Sequence, residues 1–148
     1  ALGGEWNYRT YNNWQGIIEE LISDNKDLNI VLLGSSNATE ITKKIKNKYH
    51  HPNIIDCVNQ FTFNQTAEII NRAKILLCCD GGLMHAANSV NTPIVALFAK
   101  LSSEMQLTEV ITEFSMFDKY DVNNITTKEV ILNYKKLAKF VYSHHQGE

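Results

Sequence analysis

Apolar positions along the chain alternate between two spacings. Trp14, Ile17, Ile18, Leu21 and Ile22 recur three and four residues apart, which predicts an amphipathic helix from about Asn13 to Asn25. Asn29 to Leu33 is instead a short apolar, β-branched run that stops at Gly34. Ser35-Ser36-Asn37 then offers turn and N-cap chemistry ahead of a helix through Ile41 and Ile45. Pro52 interrupts the chain, Asn53 to Val58 predicts a strand, and Asn64 is placed to cap a helix through Ala67, Ile69, Ile70 and Ala73. Ile75 to Phe98 reads as strand, turn, helix over about Leu83 to Val90, and strand over Ile94 to Phe98. From Leu101 the pattern weakens to a short helix and a loop through Phe114 to Asp121. Thr126 or Thr127, with Glu129, then caps a last helix whose apolar face is Val130, Ile131, Tyr134, Leu137, Ala138 and Val141. The end, Ser143 to Glu148, is polar and expected to fray.

Strands alternating with helices, and apolar on both faces, predict an α/β fold: a Rossmann-like parallel sheet with helices on both faces. Right-handed crossovers would bring the strand C-terminal ends to one edge, so the loops at Gly34 and Asp80 should open together. The chain has 148 residues, 44% of them hydrophobic, which predicts a single domain over 1–148.

The segment Asp80-Gly81-Gly82 carries the first chemical signal. A chain leaving a buried strand and entering a helix there points several unpaired N–H groups at one spot, beside the positive end of the helix dipole. That geometry suits a diphosphate. Glycines let a ligand approach the main chain, and they would permit a positive φ if the turn demands one.

Charge excludes some partners. A formal net charge of −2, with 14 basic and 16 acidic side chains interspersed, does not suit a nonspecific nucleic-acid binder. No apolar run approaches the ~20 residues that cross a bilayer, and Ala1 to Trp6 lacks a signal peptide's pattern, so a cytoplasmic chain is expected. Cys57, Cys78 and Cys79 sit in apolar runs and predict reduced, buried thiols. Cys78 and Cys79 should point to opposite faces of a strand, which argues against a shared metal with Cys57 and His85.

Asp80-Gly81-Gly82-Leu83-Met84-His85-Ala86-Ala87, followed by Thr92-Pro93 and the apolar run Ile94 to Phe98, resembles the ADP-heptose:lipopolysaccharide heptosyltransferase family, glycosyltransferase family 9. The family motif is Asp-[Ser/Thr]-Gly-x-x-His-x-Ala, then a proline and a strand. Arg9-Thr10-Tyr11 with Trp14 is similar to the basic and aromatic segment that opens the same half of the family's enzymes. Leu32-Leu33-Gly34 with Glu40 is similar to their glycine loop and downstream acid. The resemblance covers about residues 1–140 and implies one half of a GT-B glycosyltransferase, the C-terminal half that binds a nucleotide-diphosphate sugar such as ADP-heptose. The N-terminal half, lying outside this sequence, would bind a lipid-linked oligosaccharide acceptor and supply the catalytic base.

Under that resemblance Arg9 and Asp80 are the catalytic candidates. Arg9 would stabilise the departing diphosphate, and Asp80 would contact the donor near its sugar. Gly81, Gly82, His85, Glu40 and Lys100 are the donor-binding candidates, Glu40 toward ribose hydroxyls. Each has a structural alternative: Asp80 as a helix N-cap, His85 as a satisfied structural histidine, Arg9 as a surface arginine, and Glu40 as a solvated first-turn acid. No metal or cofactor is implied. The resemblance implies inverting, metal-independent transfer in assembly of the lipopolysaccharide or lipooligosaccharide core, in the cytoplasm or at the inner membrane surface, with this half inactive alone. The alternative function is a non-catalytic nucleotide-binding or regulatory module. A dinucleotide-dependent oxidoreductase lacks support, because Gly34-Ser35-Ser36-Asn37 does not satisfy G-x-G-x-x-G. The chain departs from the family pattern at Gly81, at Asn59 to Phe63, and at Ala99-Lys100-Leu101-Ser102, where the family continues Gly-Pro-Thr. Lys100 and Ser102 are placed to supply replacement phosphate contacts.

Overall fold

The computed structural model describes residues 1–4, 6–100 and 114–145, with no side-chain description for 144–145. In chain order it contains a 3-10 turn Asn7–Arg9, α1 (Trp14–Asp24), β1 (Ile30–Leu32), a 3-10 turn Ser36–Ala38, α2 (Thr39–Lys48), β2 (Ile54–Asp56), α3 (Phe63–Arg72), β3 (Leu76–Cys79), α4 (Gly82–Ser89), β4 (Ile94–Ala99), β5 (Met116–Asp118), a 3-10 turn Val122–Asn124 and α5 (Thr127–His145). All the strand pairs are parallel. β1 runs beside β2 with Ile30 opposite Ile54, β3 beside β4 with Leu76 opposite Ile94, and β4 beside β5 with Leu97 opposite Met116.

β4 decides the layering. All six of its residues are buried, and a strand's side chains alternate faces. Val95, Leu97 and Ala99 belong to one apolar cluster, with Trp14, Ile17 and Leu21 of α1, Ile45 of α2 and Val130, Leu137 and Val141 of α5. Ile94, Ala96 and Phe98 belong to a second, with Ile70 of α3 and Met84 and Ala87 of α4. Helices therefore cover both faces, as the fully apolar strands require. Cys79 packs in the first cluster and Cys78 in the second, so the adjacent thiols do face opposite ways.

The ladders of β1–β2 and β3–β4–β5 do not join directly. The first two residues sit between them: the Leu2 amide donates to the Leu33 carbonyl at 2.7 Å, and the Ala1 amine donates to the Leu77 carbonyl at 2.6 Å. Gly34 permits this approach, because a Cβ there would lie 2.7 Å from the Leu2 carbonyl oxygen.

The structure corrects the sequence reading at three elements. Helix α3 is capped by Thr62 rather than Asn64, in a reciprocal box with Gln65: the Gln65 amide donates to Thr62 Oγ1 at 3.2 Å, and the Thr62 amide donates to Gln65 Oε1 at 2.9 Å. Ser35 and Asn37 do not cap α2, which follows a 3-10 turn and has no side-chain cap. Their polar atoms hold the N-terminal loop instead, Ser35 Oγ donating to Asn37 Oδ1 at 2.9 Å and Asn37 Nδ2 to the Gly4 carbonyl at 3.1 Å. Met116–Asp118, expected as loop, is a strand because the free edge of β4 supplies a ladder that three mixed residues could not advertise. The helix expected from Leu101 falls outside the described residues.

The exit from β5 is set by Asp118, whose Oδ2 accepts from the Tyr120 amide (2.9 Å), the Asp121 amide (3.0 Å) and Asn124 Nδ2 (3.0 Å). The Asp121 and Tyr120 amides and the Asn124 amide group stabilise the carboxylate and hold its pKa below the ordinary 3.8. Since the folded pKa is the lower one, this contribution to stability is present above the unfolded value and is lost as pH falls through the folded value. An NMR titration of the Asp118 carboxyl should therefore give a midpoint below 3.8, and Asn124→Ala should raise it. Truncating Leu97, wholly buried in β4, to Ala should cost about 2–5 kcal/mol by urea unfolding. Leu132→Ala on the exposed side of α5 should stay within about 0.5 kcal/mol of the parent.

Candidate functional site

Parallel strands deliver their following loops to one edge. The loops after β1 and β3 meet there with the N-terminal loop around a cavity of about 390 Å³, lined among others by Gly3, Gly4, Arg9, Gly34, Asp80 and Gly82. The expected convergence of Gly34 and Asp80 is thus observed.

Helix α4 presents its N-terminus to this cavity. Gly81 is the N-cap residue, in extended backbone at φ 167°, and no side chain caps the helix. The amides of Gly82, Leu83 and Met84 precede the first intrahelical bond, in which the His85 amide donates to the Gly81 carbonyl at 3.4 Å. Gly81, Gly82, Leu83 and Met84 all line the cavity. Neither Gly81 nor Gly82 takes a left-handed φ, because an extended residue already turns the chain from strand into helix. What the absent side chain provides at Gly81 is room: a Cβ there would meet nothing within 4 Å.

Asp80 does not cap the helix. Its Oδ2 lies 3.6 Å from Arg9 Nη1, with the carboxylate 9% and the guanidinium side chain 26% exposed. At that separation the pair is ionic contact without a good hydrogen bond. Among the described residues Arg9 Nε is buried and without a hydrogen-bond partner. The guanidinium side chain is still partly exposed beside the helix N-terminus, and its charge offsets a carboxylate that would otherwise repel an anion there.

Arg9 is positioned from far along the chain. Tyr11, wholly buried, donates from its hydroxyl to the Ile125 carbonyl at 2.9 Å and packs edge-on against Trp14 with ring centroids 5.1 Å apart. Asn123 clasps the same segment twice: its Nδ2 donates to the Thr10 carbonyl at 2.8 Å, and its Oδ1 accepts from the Asn12 amide at 2.8 Å. Burial raises the Tyr11 pKa, so the hydroxyl stays a donor across the neutral range. Next to Arg9, the Tyr8 ring has Arg9 Cζ 5.5 Å and Lys100 Nζ 4.4 Å from its centroid. Lys100 itself takes φ +51° as the chain leaves β4.

Of the seven sequence candidates, Arg9, Asp80, Gly81 and Gly82 line the cavity together. Lys100 reaches the group through Tyr8. Glu40, on the first turn of α2, and His85, on α4, are exposed and lie outside the lining. The sequence reading missed Asn37, Asn59, Phe61, Phe63 and Thr66, which complete the wall. Phe61 and Phe63 are 47% and 58% exposed, and two phenylalanines in the polar stretch Asn59 to Gln65 were the available signal. Cys78 and Cys79, both buried, also line the cavity; burial pushes the Cys78 pKa up to about 12 and the Cys79 pKa up to about 11, so both are protonated at neutral pH.

A sequence profile described as glycosyltransferase family 9 (heptosyltransferase) matches residues 5–123. The chain belongs to this family. Its fold matches that of ADP-heptose LPS heptosyltransferase II from E. coli, with a TM-score of 0.76 at 20% identity, over 97% of this chain and 45% of that one. It matches equally the glycosyl transferase family 9 structure from Veillonella parvula DSM 2008, with a TM-score of 0.76 at 17% identity, over 93% and 44% of the two chains. The chain thus spans less than half the length of these solved relatives. No curated protein matches the sequence. The family-9 likeness read from the motif around Asp80 is confirmed, as is the α/β class with parallel strands. Among the described residues no helix is long and apolar enough to cross a membrane.

Tyr11→Phe should strand the Ile125 carbonyl and lower stability by about 1–3 kcal/mol in urea unfolding. Asn123→Ala, which releases Thr10 and Asn12, should speed hydrogen exchange at residues 9–12 while leaving β4 protected.

Proposed function

We propose that this chain is the donor-binding half of a heptosyltransferase-like enzyme, taking a nucleotide-diphosphate sugar in the cavity at the ends of β1 and β3. The observation that carries the reading is that a helix N-terminus without a side-chain cap and the partly exposed Arg9 guanidinium line one cavity. A diphosphate is the ligand whose oxygens would accept from both. Phe61 and Phe63 offer a flat apolar wall suited to a nucleobase. Asp80 orients Arg9 and is placed to accept from sugar hydroxyls.

In the transfer step, negative charge grows on the diphosphate as the glycosidic bond breaks. Arg9, Lys100 and the amides at the start of α4 stabilise it electrostatically, without a metal. The acceptor, a lipid-linked oligosaccharide of the lipopolysaccharide or lipooligosaccharide core, and the base that deprotonates it belong to a partner domain, with inversion at the sugar carbon. This half alone would bind donor and not turn over. The enzyme would work in the cytoplasm, at the inner membrane surface where its acceptor lies. Glu40 and His85 remain donor-side candidates that would need closure of the partner domain or side-chain rotation to reach the ligand.

Calorimetric titration with ADP, UDP, GDP and CMP tests this. One nucleoside diphosphate should bind selectively, and Arg9→Ala should weaken it by about 10–100-fold, the loss expected for a charged hydrogen-bonding group. Asp80→Asn should weaken the intact nucleotide sugar more than the free diphosphate. Failure of all four nucleotides to bind at millimolar concentration would sink the donor-binding reading.

A further inference from the structure

Two cations share one aromatic ring beside the proposed donor cavity. The Tyr8 centroid lies 5.5 Å from Arg9 Cζ and 4.4 Å from Lys100 Nζ, while Tyr8 itself lies outside the cavity lining. We propose that Tyr8 is a positioning residue: its ring holds Lys100 beside Arg9, so that a second cation stands uncompensated at the edge of the cavity and strengthens diphosphate binding, without Tyr8 touching the donor. The inference rests on the donor-binding reading and adds to it the side chain that sets the charge of the site.

The ring is fixed by its own turn and by the core. In the 3-10 turn Asn7–Arg9 the Arg9 amide donates to the Trp6 carbonyl at 3.0 Å and the Thr10 amide to the Asn7 carbonyl at 3.1 Å. Thr10 Oγ1 donates to the same Trp6 carbonyl at 2.9 Å. The half-buried Tyr8 packs against the apolar cluster that contains Val95, Leu97 and Ala99 of β4. It is therefore an anchored platform, and the next residue along the chain is the arginine of the site.

The backbone at Lys100 is turned toward that platform. Side chains of β4 alternate, with Ile94, Ala96 and Phe98 on the α3 and α4 side and Val95, Leu97 and Ala99 on the other. Continued alternation would send Lys100 to the side of Phe98, away from the cluster on which Tyr8 packs. Lys100 instead takes φ +51°, the left-handed region that a non-glycine residue seldom adopts, and the chain leaves the strand there. Its ammonium comes to lie over the Tyr8 ring, and the residue is exposed, so a ligand can reach it.

A ring and a carboxylate hold a cation with different consequences. Asp80, 3.6 Å from Arg9, offsets the guanidinium charge. Among the described residues Lys100 has no carboxylate in ion-pair contact; its printed partner is the ring, whose quadrupole attracts the ammonium and leaves its charge in place. Two cations against one carboxylate leave this edge of the cavity positive, on the side where the α4 amides already favour an anion. The arrangement should therefore favour a diphosphate over a monophosphate, which carries less negative charge.

The test is a double-mutant cycle on the 148-residue chain, with Tyr8→Leu, Lys100→Met, their combination, and Tyr8→Phe as the variant that keeps the ring. Calorimetry gives Kd for ADP, UDP and GDP, with AMP, UMP and GMP alongside, and NMR follows the side-chain protons of Lys100. Tyr8→Leu and Lys100→Met should each weaken the bound diphosphate about 2–5-fold, the range of a cation–π contact at an exposed site, and should weaken its monophosphate less. The double variant should lose no more than either single change. Tyr8→Phe should bind like the parent, and the ring-current shift of the Lys100 methylenes should persist in it and vanish in Tyr8→Leu. Additive losses in the double variant, or a Tyr8→Leu chain that binds diphosphate like the parent, overturn the role of Tyr8 and leave the donor reading standing. Lys100 protons without a ring-current shift in the parent overturn it before any substitution is made. A parent that binds none of the nucleotides sinks the donor reading and this inference together.

Discussion

The main constraint on this molecule is that β4 has no solvent face. Six consecutive buried residues in a strand whose side chains alternate can be satisfied only by apolar layers above and below. α1, α2 and α5 supply one layer, and α3 and α4 the other. Neighbours must then lie on both edges of β4, which draws β3 to one side and recruits the three residues of β5 to the other. Parallel pairing follows, and with it the gathering of loops at one edge. The proposed site is thus a by-product of how a two-sided strand is buried, with chemistry added by the residues that happen to occupy those loops.

That chemistry rests on two different kinds of positioning. The α4 amides are placed by the main chain and are insensitive to side-chain identity, apart from the room left at Gly81. Arg9 is placed by side chains: Tyr11 and Trp14 anchor its segment in the core, and Asn123 holds it from outside. The Asp80 contact adds orientation across the cavity. In the proposed donor site the two glycines and one carboxylate of the motif would work with an arginine about seventy residues earlier, and neither segment would form that site alone.

The fold was legible because its signals were local and redundant. Period-3.6 runs such as Trp14 to Ile22 and fully apolar runs such as Ile94 to Phe98 each permit one class of element, and their alternation leaves one layered arrangement. β5 was not legible, since Met116–Asp118 becomes a strand only through the edge of β4. The Thr62–Gln65 box was present in the sequence and lost to Asn64, a good capping residue two positions along. At the site, the Asp80 motif announced itself through glycines at a strand-to-helix junction. The Arg9–Asp80 contact could not be read from pattern, because nothing in either segment names the other. The same holds for Asn123, whose amide group is unremarkable until the fold brings Thr10 and Asn12 to it.

Asn123 also sets a limit on modularity. It clasps residues 111 and 113 positions away, across the whole sheet in sequence terms. Exchange of the opening segment between relatives would carry Arg9 and its aromatic anchors but leave the clasp behind. A chimera joined anywhere between the two would inherit an arginine with a foreign support. The smallest unit that can be transplanted with its geometry intact is then the pair of segments around Arg9 and Asn123, and substitutions at these distant positions should be inherited together.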